Sequence, residues 1–311
     1  MIETLPFGLV DAFAEQPYWG NSAGVVLNAD GLSAPQMQLI AREVNSAETA
    51  FVSRLNDLHR PPLLRWFTPT TEVRFCGHAT LAAAHRIAET AARLSASGVG
   101  PAALEFETSA GVLRVTAEEL PDPRGQRLWW LQMPDPALKP DNTNPMRTCE
   151  LLGISVDDLD PAFPAQRTVD NDVIYVIKSW QTLTSMQPRF DELATWCRRT
   201  QIRGLCVSTT ATLSNSIDVQ SRFFAPAVGI NEDPVTGSVH GPLAVFLVVS
   251  GVVGRALGHS GLMCVQGQPG GRTGLVRALV EGTPKGYRAK IGGICHTTIS
   301  GEVRVPATSS Q

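Results

Sequence analysis

Apolar and polar residues alternate along the start of the chain in the two-residue rhythm of strands, broken by short polar turns. Gly8-Leu9-Val10-Asp11-Ala12-Phe13 reads as a strand, Gly20-Asn21-Ser22-Ala23-Gly24 as a loop and Val25-Val26-Leu27 as a second strand. Ser33-Ala34-Pro35-Gln36 opens a helix, with Ser33 as N-cap, proline in the first turn, and Leu39, Ile40 and Val44 on its apolar side. β-Branched and aromatic content predicts strands over Glu48-Thr49-Ala50-Phe51-Val52 and Leu63-Leu64-Arg65-Trp66-Phe67. The clearest amphipathic helix spans Gly77 to Leu94, with Leu81, Ala84, Ala88 and Ala91 on one stripe. Leu104 to Thr108 and Gly111 to Val115 alternate around a turn at Ala110-Gly111. A further strand, Leu128 to Met133, ends at Pro134. Its adjacent Trp129 and Trp130 should face opposite ways, one indole toward the core and the other toward a partner or a loop. The proline-rich, polar run from Pro134 to Pro145 is the best linker.

The second half repeats the first weakly. Arg65-Trp66-Phe67-Thr68-Pro69 has a counterpart in Arg222-Phe223-Phe224-Ala225-Pro226, and each leads through an acidic loop and a small-residue turn into an apolar helix. The turns are Cys76-Gly77-His78-Ala79 and Thr236-Gly237-Ser238-Val239, offset by 160 residues against 157 at the arginines. A repeat of that length implies two similar domains. The 21 residues from Pro234 to Gly254 carry no formal charge, but glycines and Pro242 interrupt them. The continuous apolar part, Leu243 to Val249, is seven residues, so a buried central helix fits better than a membrane span.

A hydrophobic share of 43% and a charged share of 18% are values of a folded globular chain. The net charge of −3, with no Lys/Arg run longer than two, argues against nucleic-acid and membrane partners. Six scattered cysteines with no C-x-x-C pair suit reduced thiols in the cytoplasm better than a disulfide framework or a zinc knuckle. Met1-Ile2-Glu3-Thr4 lacks the features of a signal peptide.

Helix N-termini bear unpaired N–H groups and partial positive charge, so the turns at Gly77 and Gly237 point to anion binding. Two such halves packed face to face would hold a carboxylate without an arginine. Arg65 and Arg222, each two positions from an aromatic, read as sheet braces. His78 follows Gly77 at its helix start, where the charged form is disfavoured. Glu232 and Asp233 precede the second turn, as caps and dipole partners do. Glu48 opens an apolar strand, and a half-buried carboxylate there is suited to moving protons; a solvent-facing Glu48 at the strand edge is the alternative.

These segments together resemble the PhzF (phenazine-biosynthesis-like) family, similar in fold to diaminopimelate epimerase and proline racemase. The matching residues are Val10 to Phe13 with Gly20-Asn21-Ser22, Asn45-Ser46-Ala47-Glu48-Thr49-Ala50-Phe51, Arg65 to Pro69 with Cys76 to Thr80, and Arg222 to Pro226 with Glu232 to Ser238. Gln266-Gly267 and Gly271-Arg272 add a fifth match. The resemblance implies an α+β, diaminopimelate-epimerase-like fold. Its two domains would be related by a pseudo-two-fold axis, each a curled, mostly antiparallel sheet around a central helix. The expected domains are 1–133 with about 297–311, and 134–296.

By the same resemblance Glu48 shuttles a proton, His78 and Asp233 hold substrate and assist transfer, and Gly77, Gly237 and Ser238 form the anion site. Cys76, Asn21 and Ser46 join them as substrate-contacting residues. The implied chemistry needs no cofactor and no metal, acts on a small carboxylate-bearing substrate and belongs to a homodimer. Three departures stand out: Arg74, the Asn171-Asp172 pair where glycine is common, and Cys76 where phenazine-pathway members carry a small residue. An isomerase that moves a proton within its substrate is the first expectation. A two-base racemase would need a second thiol where Thr236 stands, and a non-catalytic binding protein has no need of Glu48, His78 and Asp233 together. Ser238 lacks the G-x-S-x-G elbow of a hydrolase.

Overall fold

The computed structural model describes residues 3–96, 99–121, 125–134, 136–255, 257–258, 260–268 and 270–307. The chain forms two compact units, Met1–Gln132 with Gly292–Gln311, and Met133–Ile291. The last four residues of the expected first domain lie outside the described residues.

The first unit opens with β1 (Thr4–Ala12), β2 (Asn21–Leu27), α1 (Ala34–Val44), β3 (Glu48–Ser53), β4 (Leu63–Phe67) and the short β5 (Glu72–Val73). α2 (Gly77–Leu94) follows, then β6 (Ala103–Thr108), β7 (Gly111–Glu119) and β8 (Arg127–Gln132). Asn21 to Gly24, read above as loop, belongs to β2, because these residues pair with β1 from Ala12↔Asn21 to Leu9↔Gly24. β2 lies parallel to β3, with Ala23 beside Glu48. β3–β4, β6–β7 and β7–β8 are antiparallel, and β4–β6 is parallel.

The second unit holds β9 (Leu138–Pro140), inside the stretch read as linker, and α3 (Pro145–Leu152), β10 (Gln166–Thr168), β11 (Asp172–Val176), α4 (Trp180–Ser185) and α5 (Phe190–Thr200). It continues with β12 (Gly204–Thr209), β13 (Val219–Ala225), β14 (Ile230–Asp233), α6 (Gly237–Val249), β15 (Gly261–Gly267) and β16 (Thr273–Thr283). β17 (Gly286–Arg304) starts in this unit and ends in the first. Parallel pairs, β11–β12 and β13–β15, again interrupt an antiparallel sheet.

In the first unit β17 pairs with β1 from Ala12↔Cys295 to Thr4↔Arg304, and it also pairs with β8. The ladder β1–β2–β3–β4–β6–β7–β8–β17 therefore returns to β1, and α2 packs against β1, β2, β3 and β8. A helix so enclosed must be slim. Gly77 to Ala84 are all buried, and alanine supplies much of that surface. The one buried cation of α2, Arg86, donates to Glu89 (2.8 Å) and to Ser300 Oγ (2.7 Å). Gly8 makes room for it, since a Cβ there would lie 2.8 Å from Arg86 Nε.

α6 meets its surroundings differently. Gly-Ser-Val-His-Gly-Pro-Leu-Ala-Val-Phe-Leu-Val-Val is apolar nearly all round, and most of the helix is buried. Two further clusters cover the sheets. α1 places Met37, Ile40 and Ala41 on Val26, Phe51 and Phe67. α3 and α5 place Leu151, Leu152, Leu193 and Cys197 on Val173, Tyr175, Leu205 and Val207.

The paired indoles of β8 depart from the alternation argument. Trp129 is 1% exposed and Trp130 7%, so neither is left for a partner. Trp129 meets the edge of His85 with ring centroids 6.2 Å apart. Trp130 donates from Nε1 to Glu118 at 3.2 Å and is covered by Gly292 of β17. A Cβ at Gly292 would stand 2.5 Å from the Trp130 ring. Gly292→Val should therefore cost about 1–3 kcal/mol by overpacking. Thermal denaturation checks this, and a melting temperature equal to wild type would show that the ring can yield.

Candidate active site

In the first unit Glu48, Cys76 and His78 are brought together. Their ligand-capable atoms lie within 4.8 Å of one another. Glu48 is the first residue of β3, while Cys76 is the N-cap of α2, with His78 two residues on. His78 Nε2 lies 3.3 Å from Glu48 Oε2, and Cys76 Sγ lies 3.4 Å from His78 Nδ1. The thiol and the carboxylate thus address opposite nitrogens of one ring. The Cys76–His78 contact is a hydrogen bond, whereas the Glu48–His78 contact is a close approach only. The Glu48 side chain is 14% exposed and the His78 side chain 6%, so Glu48 does not face open solvent as an edge residue would.

Burial pushes the His78 imidazole down to about 3, and the α2 N-terminus acts in the same direction. The ring is neutral at pH 7. Its Nε2 approaches the Glu48 carboxylate at 3.3 Å but is buried without a hydrogen-bond partner among the described residues, while Nδ1 shares a hydrogen bond with the Cys76 thiol. The α2 cap is tied by the Cys76 carbonyl, which accepts from Thr80 Oγ1 at 2.6 Å. Asn21 is buried at the start of β2, and Ser46 is half-buried in the loop that joins α1 to Glu48. Parallel pairing of β2 with β3 sets Ala23 against Glu48, so Asn21 stands two residues upstream at the same strand ends.

The second unit gathers Asp233, Thr236, Gly237 and Ser238. Asp233 ends β14 and is buried, and Thr236 Oγ1 donates to its Oδ2 at 2.5 Å. Gln266, fully buried on β15, accepts from the Thr236 amide at 3.0 Å and donates to the Asp233 carbonyl at 2.7 Å and to Thr236 Oγ1 at 3.0 Å. One side-chain amide thereby fastens the turn that opens α6. Ser238 Oγ accepts from Arg203 Nη2 at 3.0 Å, and Arg203 also grips Asp172. The family match of Gln266 carried no structural role at the sequence level, and Arg203 passed unnoticed. A glutamine in the apolar run Leu262-Met263-Cys264-Val265 was the available signal for the first. The Asp172–Arg203 pairing spans 31 residues and had none.

Each unit carries the same brace at the repeated sequence. Arg65 forks onto Glu72 (2.7 and 2.8 Å) and lies 5.1 Å over Phe67. Arg222 forks onto Glu232 (2.9 and 2.8 Å) and lies 5.0 Å over Phe224. Both arginines are committed to the sheet, as their spacing from an aromatic predicts.

Three imidazoles are held neutral by burial: His78 at about 3, and His240 and His85 at about 4. Below the ordinary value of 6.5 the unfolded chain takes up protons that these folded sites refuse, so stability is lost as pH falls from 6.5 toward those values. His78→Gln should flatten that decline by at most about 1.4 kcal/mol per pH unit. Denaturant titrations at a series of pH values would read the slope, and an unchanged slope would mean that His78 is protonated in the native state.

The model of the phenazine biosynthesis-like family PhzC-PhzF matches residues 10–301. An uncharacterized isomerase of Clostridium acetobutylicum is 33% identical over 284 residues, covering 88% of each chain. The uncharacterized isomerase YddE of Escherichia coli K12 is 36% identical over 271 residues, 82% of this chain and 87% of its own. The PhzF-family protein of Bacillus anthracis superposes with a TM-score of 0.82 at 26% identity, over 97% of this chain and 99% of that one. A hydroxyproline epimerase of Agrobacterium vitis, with trans-4-hydroxy-L-proline bound, shares the fold at 10% identity and a TM-score of 0.59, over 99% and 95%. No helix among the described residues is long and apolar enough to cross a membrane. The chain belongs to the PhzC-PhzF, phenazine biosynthesis-like family, and like its named relatives it is an isomerase.

Proposed function

We propose that this isomerase moves a proton within a small carboxylate-bearing substrate, without a cofactor, and that Glu48 carries the proton. The observation that supports this best is the 3.3 Å approach of a neutral His78 to Glu48 at the start of α2. In this reading the Glu48 carboxylate accepts a proton from a substrate carbon and returns it at another carbon, so the enzyme ends each cycle unchanged. His78 Nε2, buried without a hydrogen-bond partner among the described residues and 3.3 Å from Glu48, is placed to hold the carboxylate when the site is in use. Because the imidazole resists protonation it does not take the proton for itself. Asp233 assists transfer from the second unit, and the amides of Gly77, Gly237 and Ser238 at the helix starts hold substrate anions, with Asn21, Ser46 and Cys76 in contact with the substrate.

The repeated brace supports a duplicated, two-domain origin for the chain, with boundaries near residues 133 and 292. A homodimer rests on the family resemblance alone, since both indoles of β8 are covered within the chain. A cytoplasmic location is supported by the six buried thiols. A symmetric two-thiol racemase finds no support, because the Thr236 hydroxyl and amide are committed to Asp233 and Gln266.

The test is incubation with a panel of small cyclic amino and hydroxy acids in deuterium oxide, reading isomerisation and mass gain. Glu48→Gln should keep the fold and lose about 10²–10⁴-fold in turnover. Exchange by this variant at the wild-type rate would place the proton carrier elsewhere. Cys76→Ser should keep most activity, since a hydroxyl still donates to His78 Nδ1. Complete loss with a native circular-dichroism spectrum would instead make the thiol an acid or base of the reaction.

A further inference from the structure

We infer that Arg203 is a positioning residue for Ser238, fixing its hydroxyl as a hydrogen-bond donor to an oxygen of the substrate's carboxylate. This rests on the proposed anion-binding role of the α6 N-terminus and names the device that would shape it.

The device begins with backbone pairing. Asp172 opens β11 and is paired with Gly204, the first residue of β12, so the preceding Arg203 lies beside it. A tight turn secures this register. Asn171 sits at φ +62°, and the Arg203 amide donates to its carbonyl at 2.9 Å. Asp172 is 1% exposed, and a carboxylate at that depth needs a fixed partner. Arg203 supplies one with both edges of its fork, Nε to Oδ1 at 2.8 Å and Nη2 to Oδ2.

The remaining hydrogen of Nη2 goes to Ser238 Oγ at 3.0 Å. A guanidinium has donors only, so Ser238 Oγ is the acceptor in this bond and its own hydrogen points elsewhere. No acceptor for that hydrogen occurs among the described residues, and Ser238 is only half-buried at the second position of α6. The hydroxyl is thus held with its hydrogen left for a group from outside the chain. Donation into Oγ also strengthens the O–H as a donor, as in any cooperative chain. A lysine could neutralise Asp172 equally well, but a point ammonium cannot fork onto a carboxylate and reach the hydroxyl in one geometry. The planar guanidinium makes the fork onto Asp172 and the contact with Ser238 in one geometry.

Acetate is the probe, read through the amide shifts of Gly237 and Ser238 in ¹⁵N spectra of the full chain. Saturable shifts are expected for the wild type. Ser238→Ala and Arg203→Lys should each weaken acetate by about tenfold, the loss of one charge-assisted bond. The double variant should be no weaker than either single one, because Arg203 acts through Ser238. Asp172→Asn/Arg203→Gln removes the buried carboxylate and its cationic partner together, so no carboxylate is stranded if the lysine variant folds poorly. It should bind as weakly as Ser238→Ala. Additive losses, or wild-type affinity in Arg203→Lys, would overturn the inference while leaving the α6 site standing. Wild-type affinity in Ser238→Ala would overturn it too, the amides then holding acetate alone, and no saturable shift in the wild type would remove the α6 anion site and this inference with it.

Discussion

A helix packed face-on against a sheet cannot present a polar flank there, and α2 and α6 are both shaped by that constraint. α2 answers it with small residues, so that Gly77 to Ala84 pass between β1, β2, β3 and β8 without side chains that would push the ladder open. α6 answers it with an almost uniformly apolar surface. In each case the flanks are taken up by packing, and the N-terminal turn is where unbonded N–H groups remain. The chemistry of the chain collects there for that reason. Cys76 and His78 sit at one such turn, and Asp233, Thr236 and Ser238 at the other.

The first of these turns sets the Glu48 carboxylate beside a ring that resists charge. A solvated imidazole beside a carboxylate would become an imidazolium and lock the pair as an ion pair. Burial at the head of α2 prevents this, so Glu48 faces a neutral imidazole. The second turn is governed by hydrogen-bond supply. Gln266 satisfies Thr236 and the Asp233 backbone at once, leaving the geometry of the loop independent of whatever occupies the site.

Much of this was legible in the sequence wherever one local pattern decided the outcome. The limits of α2 follow from a glycine turn, an alanine stripe and a terminal leucine, and the structure begins and ends the helix at those residues. The arginine braces follow from a two-residue spacing to an aromatic on a strand. Contacts between distant strands were not legible. Alternation left one of Trp129 and Trp130 for a partner or a loop, and it could not see that β17 would cover Trp130. Glu48 looked equally like an edge residue until pairing with β2 and the approach of His78 enclosed it. Asp172 registered only as an oddity where glycine is common. Its partner Arg203 emerges from parallel pairing of β11 with β12, which has no spacing rule.

The path of β17 has a consequence in time. Its last residues complete the ladder of the first unit by pairing with β1, Thr4 against Arg304. At about 5–20 residues per second, a ribosome needs roughly 15–60 s between making those two partners. For that interval β1 is an edge strand with one side unpaired, and α2 lacks part of its wall. The unit that is made first is therefore finished last. The chain carries a long-lived open edge through most of its synthesis, which is the interval in which chaperones would find it.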